Sequence, residues 1–254
     1  MGRAHLFEFN DQPWLPAFLR DAMTGYLETL SRKMKLHEPM TPIIEAALDR
    51  SGAEQIVDLC SGGGGPLLQI RERLSKPVPV VMTDLFPNAA AFKALQAPGV
   101  SARMTPVDAT DVPDDLPGLR TIFNGFHHFQ PELARAILED AHKKRAPIAI
   151  IELSERTAAN ILGAPLIPLF TFLLMPFVRP ARALPLIFTY LIPILPTLIA
   201  WDGLVSHLRV YSPDELKALT AGLDEGGYTW EIQRAPLMPG AHMTVLTGCV
   251  PRKR

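Results

Sequence analysis

The sequence predicts an α/β protein with a doubly wound, mostly parallel sheet that ends in an antiparallel strand pair. Three observations support this fold class: short β-branched runs alternate with helical patterns, a glycine cluster follows the first run, and two strand-like segments close the chain. The 254 residues are enough for one substantial domain with an insertion.

Two helices are expected before the first strand. Apolar residues at helical spacing predict an amphipathic helix over residues 14–36, and Thr41 and Pro42 form an N-cap and first-turn pair that opens a second helix over 42–50. The segment 55–66 then predicts a strand, a tight turn built on glycines and the start of a helix.

Further strands are expected over four segments: 79–85 ending in Asp84, 102–113 ending near Asp108, 120–129 including an exit loop, and 147–155. A helix over 131–144 separates the last two of these segments. Near the C-terminus, Ser212 to Glu215 form a capping box, and the strands 228–235 and 243–250 flank a connection over 236–242. This alternation predicts a Rossmann-like sheet.

Composition excludes several classes of protein. Apolar residues make up 48% of the chain and charged residues 20%, which argues against a disordered protein. Lysine and arginine number 25 against 26 acidic residues, so no basic field is available for nucleic acid. Two cysteines without ligand spacing predict neither disulfides nor a metal site, and the charged N-terminus lacks a secretory pattern. We therefore expect a cytoplasmic protein.

The glycine cluster and Asp84 together predict a nucleoside site. Gly62, Gly63, Gly64 and Gly65 follow the first strand, where backbone without side chains lets a ligand approach the next helix. Asp84 lies 20 residues beyond Gly64, the spacing at which a carboxylate accepts both hydroxyls of a ribose.

With these residues the sequence resembles the class I S-adenosylmethionine-dependent methyltransferases, over residues 40–155 and 210–250. Asp58 matches the acidic residue that opens the family's first motif, and Gly62 and Gly64 match the last two glycines of its Gly-x-Gly-x-Gly pattern. Cys60 stands where the family has the first glycine, which narrows the amino-acid end of the pocket. A nicotinamide dinucleotide is disfavoured because a leucine occupies the place of its third small residue.

The resemblance implies S-adenosylmethionine as the cofactor and assigns further contacts to it. Asp84 with Leu85 matches the ribose-binding position, and Asp108 with Ala109 matches the element that contacts the adenine amino group. Asn124 stands near the methionine portion of the donor. Together with the first motif, the expected cofactor-binding residues are Asp58, Cys60, Gly62, Gly63, Gly64, Asp84, Leu85, Asp108, Ala109 and Asn124.

Three residues are candidates for acid–base chemistry. His127 and His128 follow the fourth strand, and imidazole has a pKa suited to proton removal near neutrality. Adjacent residues on an extended stretch point to opposite sides, so we expect at most one histidine to face the substrate. Glu152, at the end of the fifth strand, is a third candidate for a catalytic or substrate-orienting role.

An apolar, proline-rich insertion over 158–207 divides the cofactor-binding domain into 39–157 and 208–254, and residues 1–38 form an N-terminal helical cap. Seven of the 25 prolines fall between Pro165 and Pro196, which favours short, kinked helices over a transmembrane hairpin. The insertion is open to three interpretations: a lid over a hydrophobic acceptor, a patch on a membrane surface, or a homodimer interface.

Polar residues at the end of the insertion are candidates for substrate binding. Trp201, Asp202 and Arg209 follow a very apolar wall, and Tyr26 of the N-terminal helix could complete the site. An alternative is that Asp202 and Arg209 pair to fasten the insertion. The leading hypothesis is methyl transfer to a small hydrophobic or lipid-like acceptor; the rival is a non-catalytic protein of this fold whose insertion docks on a membrane or a partner.

Overall fold

The structure is a computed structural model that describes residues 2–95, 97–179 and 182–252. The chain divides into two compact units. The sheet unit consists of His37–Leu153 and Ser212–Arg254, and the helical unit consists of Met1–Leu36 and Ser154–Tyr211. The N-terminal helix and the apolar segment therefore belong to the same unit.

Seven strands in the described chain form one sheet in the order β3-β2-β1-β4-β5-β7-β6. They are β1 (Ile56–Asp58), β2 (Val80–Met82), β3 (Val100–Ala102), β4 (Leu119–Phe123), β5 (Ile148–Glu152), β6 (Thr229–Met238) and β7 (Ala241–Cys249). Strands β1 to β5 are parallel, and β7 runs antiparallel to both β5 and β6. This arrangement confirms the predicted fold class. The order reverses between β1 and β4, where such sheets bind ligands beyond their carboxyl ends.

Ten α-helices accompany the sheet in the described residues. They are α1 (Ala17–Lys33), α2 (His37–Ser51), α3 (Leu67–Arg73), α4 (Ala89–Leu95), α5 (Pro131–Lys143), α6 (Ala158–Gly163), α7 (Ile167–Leu174), α8 (Ala183–Leu186), α9 (Ile194–Arg209) and α10 (Pro213–Thr220). The expected capping box opens α10, where the Ser212 side chain accepts from the Glu215 N–H and the Glu215 side chain accepts from the Ser212 N–H.

Two element boundaries differ from the sequence-based expectation. Helix α2 begins at His37, so Pro42 lies inside the helix, and the Thr41 hydroxyl donates to the His37 carbonyl instead of capping. Burial of Met40 and Ile44 on one face compensates for the backbone hydrogen bond that proline removes. Strand β3 ends at Ala102 and not near Asp108, because the following residues form a loop that includes Pro106.

The C-terminal hairpin is longer than expected. Strands β6 and β7 include most of the segment 236–242, and only Pro239 and Gly240 connect them. Gly240 takes a φ of 80°, a conformation that glycine adopts at little cost, so a short connection is accessible here.

Prolines in the helical unit mark changes of helix type. The segment Ala158–Phe177 is continuous, but it alternates between α and 3-10 turns, and Pro165, Pro168 and Pro176 each lie in the first two positions of a new turn type. The missing N–H of proline is least costly at such a position. A π-helix over Ile187–Leu191 extends α8.

The core of the helical unit is apolar and is built from α1, α9 and the residues that follow α7. Helix α1 packs against α7, α8 and α9. The buried residues of this core are Leu15, Leu19, Ala22, Met23, Tyr26, Met175, Val178, Leu195, Leu198 and Ile199.

A buried ion pair ties α5 to the sheet. Arg120 Nη1 on β4 lies 2.7 Å from Asp140 Oδ2 on α5, and Lys144 Nζ lies 2.7 Å from the other carboxylate oxygen. The side chains of Arg120 and Asp140 are 3% and 7% exposed, so the pair is shielded from water. Removing one partner of such a pair leaves a buried charge without compensation.

We expect Asp140→Ala to lower the free energy of unfolding by about 3 kcal/mol, because it strands the Arg120 guanidinium in the interior. Urea unfolding at pH 7 measures this loss. The matched control is Asp115→Ala, whose exposed carboxylate pairs with Arg103 in contact with solvent, so its removal should cost much less than that of Asp140. Equal effects of the two substitutions would contradict the prediction.

Candidate functional site

The candidate site lies in the sheet unit, at the carboxyl ends of β1, β2 and β4. Asp58 is the last residue of β1 and is 3% exposed. Its carboxylate accepts hydrogen bonds from the Ser61 and Thr121 hydroxyls, each at 2.7 Å. The Asp58 carbonyl oxygen accepts from the Thr83 N–H at 2.9 Å, so Asp58 connects the ends of three strands.

The pKa of Asp58 is raised to about 7, mainly by burial and to a smaller extent by the neighbouring Asp84, while the two hydroxyl donors oppose the shift. Neither hydroxyl carries charge, so hydrogen bonding alone does not compensate for the loss of water around the carboxylate. Near neutral pH the site therefore contains an acid that is part protonated.

Cys60 occupies a left-handed backbone conformation with a φ of 58°. This conformation costs a non-glycine residue roughly 1–2 kcal/mol, which accounts for the use of glycine at this place in the motif. The pKa of the Cys60 thiol is raised to about 12, mainly by burial and also by the nearby Asp84, Asp58 and Asp108. The thiol stays protonated near neutrality, so it is a poor nucleophile.

The glycines that follow form a turn with open space beside it. Gly62, Gly64 and Gly65 have positive φ values of 51°, 94° and 47°, and Gly63 lies between them. A Cβ built on Gly62 or Gly65 would meet no heavy atom within 4 Å, whereas one on Gly64 would lie 2.4 Å from Leu95 Cδ1. The close approach to Leu95 and the left-handed backbone both favour glycine at 64, while Gly62 and Gly65 leave room for a ligand.

Asp84 follows β2 and reaches this turn. Its Oδ2 accepts the Gly62 N–H at 2.9 Å, and its Oδ1 accepts the Phe86 N–H at 2.9 Å. A carboxylate oxygen accepts two hydrogen bonds, so each oxygen keeps capacity for a hydroxyl of a ligand. Leu85, next in sequence, is largely exposed.

Asp108 and Ala109 lie in the loop after β3. The Val107 N–H donates to the Asp84 carbonyl oxygen at 2.9 Å, which joins this loop to the end of β2. Asp108 Oδ1 accepts from the Thr110 N–H and hydroxyl at 2.8 and 2.7 Å, and Ala109 is buried. The Asp108 side chain is exposed and lies at the same edge of the sheet as Asp84.

Asn124 directly follows β4 and has a left-handed backbone conformation, with a φ of 48°. Its N–H donates to the Ile151 carbonyl at 2.8 Å, and its Oδ1 accepts from the Leu153 N–H at 3.3 Å. Both contacts fix the exit of β4 against β5. Asparagine tolerates this backbone region better than most residues, which is a local reason for its presence.

The two histidines do not lie on an extended stretch, contrary to the expectation from sequence. Residues Phe126–His128 form a 3-10 turn, and the rings of His127 and His128 lie 4.3 Å apart between centroids. The expected alternation of sides fails because a 3-10 turn rotates successive side chains by about a third of a circle. His127 is buried, whereas His128 is half-buried.

Glu152 organises this turn. Its Oε1 accepts from the Phe126 and His127 N–H groups at 2.7 and 3.1 Å, and its Oε2 lies 2.7 Å from His127 Nδ1. Burial by itself would raise the pKa of Glu152, but the charge and hydrogen bonds of His127 outweigh it and hold that pKa below its usual value. Glu152 is therefore an ionised acceptor that orients His127.

The four residues expected to bind substrate lie in the helical unit. Tyr26 is buried in the core of that unit. The other three contact the N-terminal segment. Trp201 Nε1 donates to the Phe7 carbonyl at 2.9 Å, and the Asp202 carboxylate accepts from the Phe9 and Asn10 N–H groups at 2.7 and 2.9 Å. The Arg209 guanidinium forms ion pairs with Glu8 and Asp11 at 3.1 and 2.9 Å. Partners some 190 residues distant leave no local signal in the sequence.

Sequence reasoning also missed the hydroxyl residues that hold the first motif in place. Ser61, Thr83 and Thr121 each contact Asp58, and all three are buried. A weak signal was available, because Ser61 and Thr83 lie at the ends of predicted strands and Thr121 lies within one, each adding a hydrogen-bonding group to an otherwise apolar run.

We expect Asp58→Asn to flatten the pH dependence of stability. The folded pKa of Asp58 lies above its unfolded value, so the folded state retains a proton that the unfolded state loses, and stability falls as pH rises from about 4 to about 7. Between pH 5 and pH 7.5 the parent should lose on the order of 2 kcal/mol more than the variant, measured by urea unfolding. Asp114→Asn, at an exposed site, should keep the slope of the parent.

Glu152→Gln should show the opposite pattern. The folded pKa of Glu152 lies below its unfolded value, so its contribution is present above about pH 5 and lost as pH falls through the folded pKa. At pH 7 the variant should be about 1–3 kcal/mol less stable than the parent, because the donors at the turn lose a charged acceptor. The difference between the two proteins should shrink at pH 4 in thermal denaturation; a constant difference would refute this assignment.

No family model matches the chain, and no curated protein does. Among solved structures, the plantazolicin methyltransferase BamL, in complex with a triazolic desmethylPZN analogue and S-adenosylhomocysteine, is 13% identical with a TM-score of 0.53, covering 92% of this chain and 98% of that one. PigF with S-adenosylhomocysteine is 18% identical with a TM-score of 0.51, and the match covers 94% of this chain and 62% of PigF. The methyltransferase domain of bacterial CtHen1 is 11% identical with a TM-score of 0.51, and the match covers 84% of this chain and 99% of that domain. The chain has the fold of the class I S-adenosylmethionine-dependent methyltransferases.

Proposed function

We propose that this protein is an S-adenosylmethionine-dependent methyltransferase. The observation that carries the proposal is the contact between Asp84 and the Gly62 N–H, which brings a carboxylate with spare acceptor capacity to an open glycine turn at the switch point of the sheet. A ribose with two adjacent hydroxyls matches this acceptor.

The charge of the site supports this cofactor over a dinucleotide. Asp58, Asp84 and Asp108 all act on Cys60 to raise its pKa, so the potential around the turn is negative. Negative potential disfavours the pyrophosphate of a dinucleotide and suits a donor that carries a positive sulfonium. In this proposal Asp84 and Leu85 bind the ribose, Asp108 and Ala109 bind the adenine, and the turn from Asp58 to Gly64 with Asn124 faces the methionine portion.

S-adenosylmethionine would supply, when bound, an electrophilic methyl group for in-line transfer to an acceptor, with the donor sulfur as the leaving group. The residues of this chain align the reactants and exclude water, and a base is needed only if the acceptor must lose a proton. His127 with Glu152 has the arrangement of a base held in orientation by a carboxylate, and His128 offers a second imidazole beside it. We assign proton removal to this histidine pair and orientation to Glu152.

The acceptor we propose is a small hydrophobic or lipid-like molecule. Support comes from the helical unit, whose segment 157–201 follows β5 by a few residues and carries no acidic side chain and only two basic ones. Large apolar side chains are exposed along this segment. Sites for apolar ligands are lined mainly by such side chains.

A second function is favoured by one observation. Cys60 holds a strained left-handed conformation where the motif has glycine, and its side chain takes space beside the turn. A non-catalytic protein of this fold, which docks on a membrane or a partner through its apolar segment, would tolerate such a change. The two functions differ in donor binding and in turnover.

We expect the purified protein to bind S-adenosylhomocysteine with micromolar affinity in calorimetric titration, and Asp84→Ala to weaken binding at least about tenfold, because the ribose loses its charged acceptor. Asp224→Ala, an exposed carboxylate elsewhere in the sheet unit, should bind like the parent. Folded protein that does not bind the ligand would reject the methyltransferase proposal. Binding without methyl transfer to any apolar acceptor would favour the non-catalytic alternative.

A further inference from the structure

We propose that the helical unit docks peripherally on the surface of an anionic phospholipid bilayer through one exposed apolar face. This face, called the apolar face below, is formed by large side chains of two neighbouring segments, 158–177 and 183–194. Its members are Leu162, Leu166, Leu169, Phe170, Leu173, Phe177, Leu184, Leu186, Ile187, Tyr190, Leu191, Ile192 and Ile194. The inference does not depend on methyl transfer.

The first segment is apolar on two opposite sides. Its exposed members begin at Leu162 and recur after intervals of four, three, one, three and four residues, which places them on one side of a helix. The side chains that pack into the core of the unit, including Met175, follow the same period on the opposite side. A helix in water normally presents polar residues there, so the exposed side indicates an apolar environment.

The second segment extends the same face. The rings of Phe172 and Tyr190 lie 5.7 Å apart, and the Tyr190 hydroxyl donates to the Phe172 carbonyl, so the two segments are in contact. Leu191 is 76% exposed and Leu162 is 78% exposed. Thirteen such side chains on two segments that are in contact exceed what scattered surface hydrophobics produce and mark an interaction surface.

The charged side chains near the apolar face indicate that it binds an anionic membrane surface. The segment 157–201 contains Arg179 and Arg182 and no Asp or Glu, and the exposed Arg182 guanidinium lies 3.6 Å from the exposed carboxylate of Asp21 on α1. Lys33 of α1 places its amino group 4.5 Å from the centre of the Phe177 ring, at the border of the apolar face. Basic side chains that rim an apolar face match anionic headgroups above acyl chains, each contributing on the order of 1 kcal/mol near such a surface.

Several contacts favour docking on the surface over crossing the bilayer. The helix Ala158–Phe177 has the length and hydropathy of a membrane span, and α8 with its π-helix joins α9 at a bend of 84°. A span would pull Met175 and Val178 out of the core that they share with Leu19 and Met23. An orientation parallel to the membrane keeps that core and still buries the apolar face. Tyr190 then lies at the depth where tyrosine is favoured.

The test is co-sedimentation of the full chain with vesicles of phosphatidylcholine and phosphatidylglycerol in equal parts. We expect the parent to sediment with these vesicles, and to do so less with pure phosphatidylcholine or in high salt. Leu169→Glu with Leu173→Glu should reduce binding at least about tenfold. The control is Leu133→Glu, at an exposed leucine of α5 in the sheet unit, and it should bind like the parent.

A second pair, Lys33→Glu with Arg182→Glu, should lower binding to mixed vesicles to the level seen with phosphatidylcholine, while Lys217→Glu on α10 should not. If the double leucine variant loses its fold by circular dichroism, Leu162→Glu with Leu166→Glu replaces it on the same face.

Four results would overturn the proposal. The first two are absence of sedimentation with mixed vesicles and undiminished binding by a folded variant of the apolar face. The third is resistance of the bound protein to alkaline carbonate extraction, which would indicate a membrane span, and the fourth is a parent dimer that the leucine substitutions dissociate while the parent binds no vesicles. None of these readouts involves donor binding, so failure here is distinct from failure of the proposed methyl transfer.

Discussion

The buried carboxylate of Asp58 is the contact on which the candidate site depends. The carboxylate accepts hydrogen bonds from the Ser61 and Thr121 hydroxyls, and the main-chain carbonyl of Asp58 accepts from Thr83. These bonds hold together the carboxyl ends of β1, β2 and β4 and the glycine turn. Asp84 directly follows Thr83, so the same network sets the distance between Asp84 and Gly62. The desolvation that raises the pKa of Asp58 is the cost of placing a carboxylate where three strands meet.

Asp58 and Glu152 show how the surroundings of a buried carboxylate decide its charge. Both end a strand, and both are almost fully buried. Asp58 has neutral hydroxyl donors, so burial prevails and its pKa rises. Glu152 has the His127 imidazole and two N–H donors, so its pKa falls despite equal burial. The first carboxylate is a structural junction, and the second is suited to orient a base.

The fold of the helical unit depends on a different constraint, because its apolar segment is rich in proline. Proline at the first positions of new turns interrupts few backbone hydrogen bonds, and the resulting helices bury one side against α1. Asp202 and Arg209 then hold the segment Leu6–Asp11 by charge-assisted hydrogen bonds. The side opposite the core remains apolar and exposed.

The sequence by itself determined the sheet class and the positions of the glycine turn and Asp84, because strand alternation, glycine clusters and the spacing between strand ends are local patterns. It placed Asp108 near the end of the third strand, whereas β3 ends at Ala102 and Asp108 lies in the following loop. It placed His127 and His128 on an extended stretch, although the N–H groups of Phe126 and His127 bind the distant Glu152 and fold the chain into a 3-10 turn. It also left open what Asp202 and Arg209 contact. Only the tertiary structure decided these contacts, because their partners are remote in sequence, and hydrogen bonds and burial between remote segments leave no periodic signal.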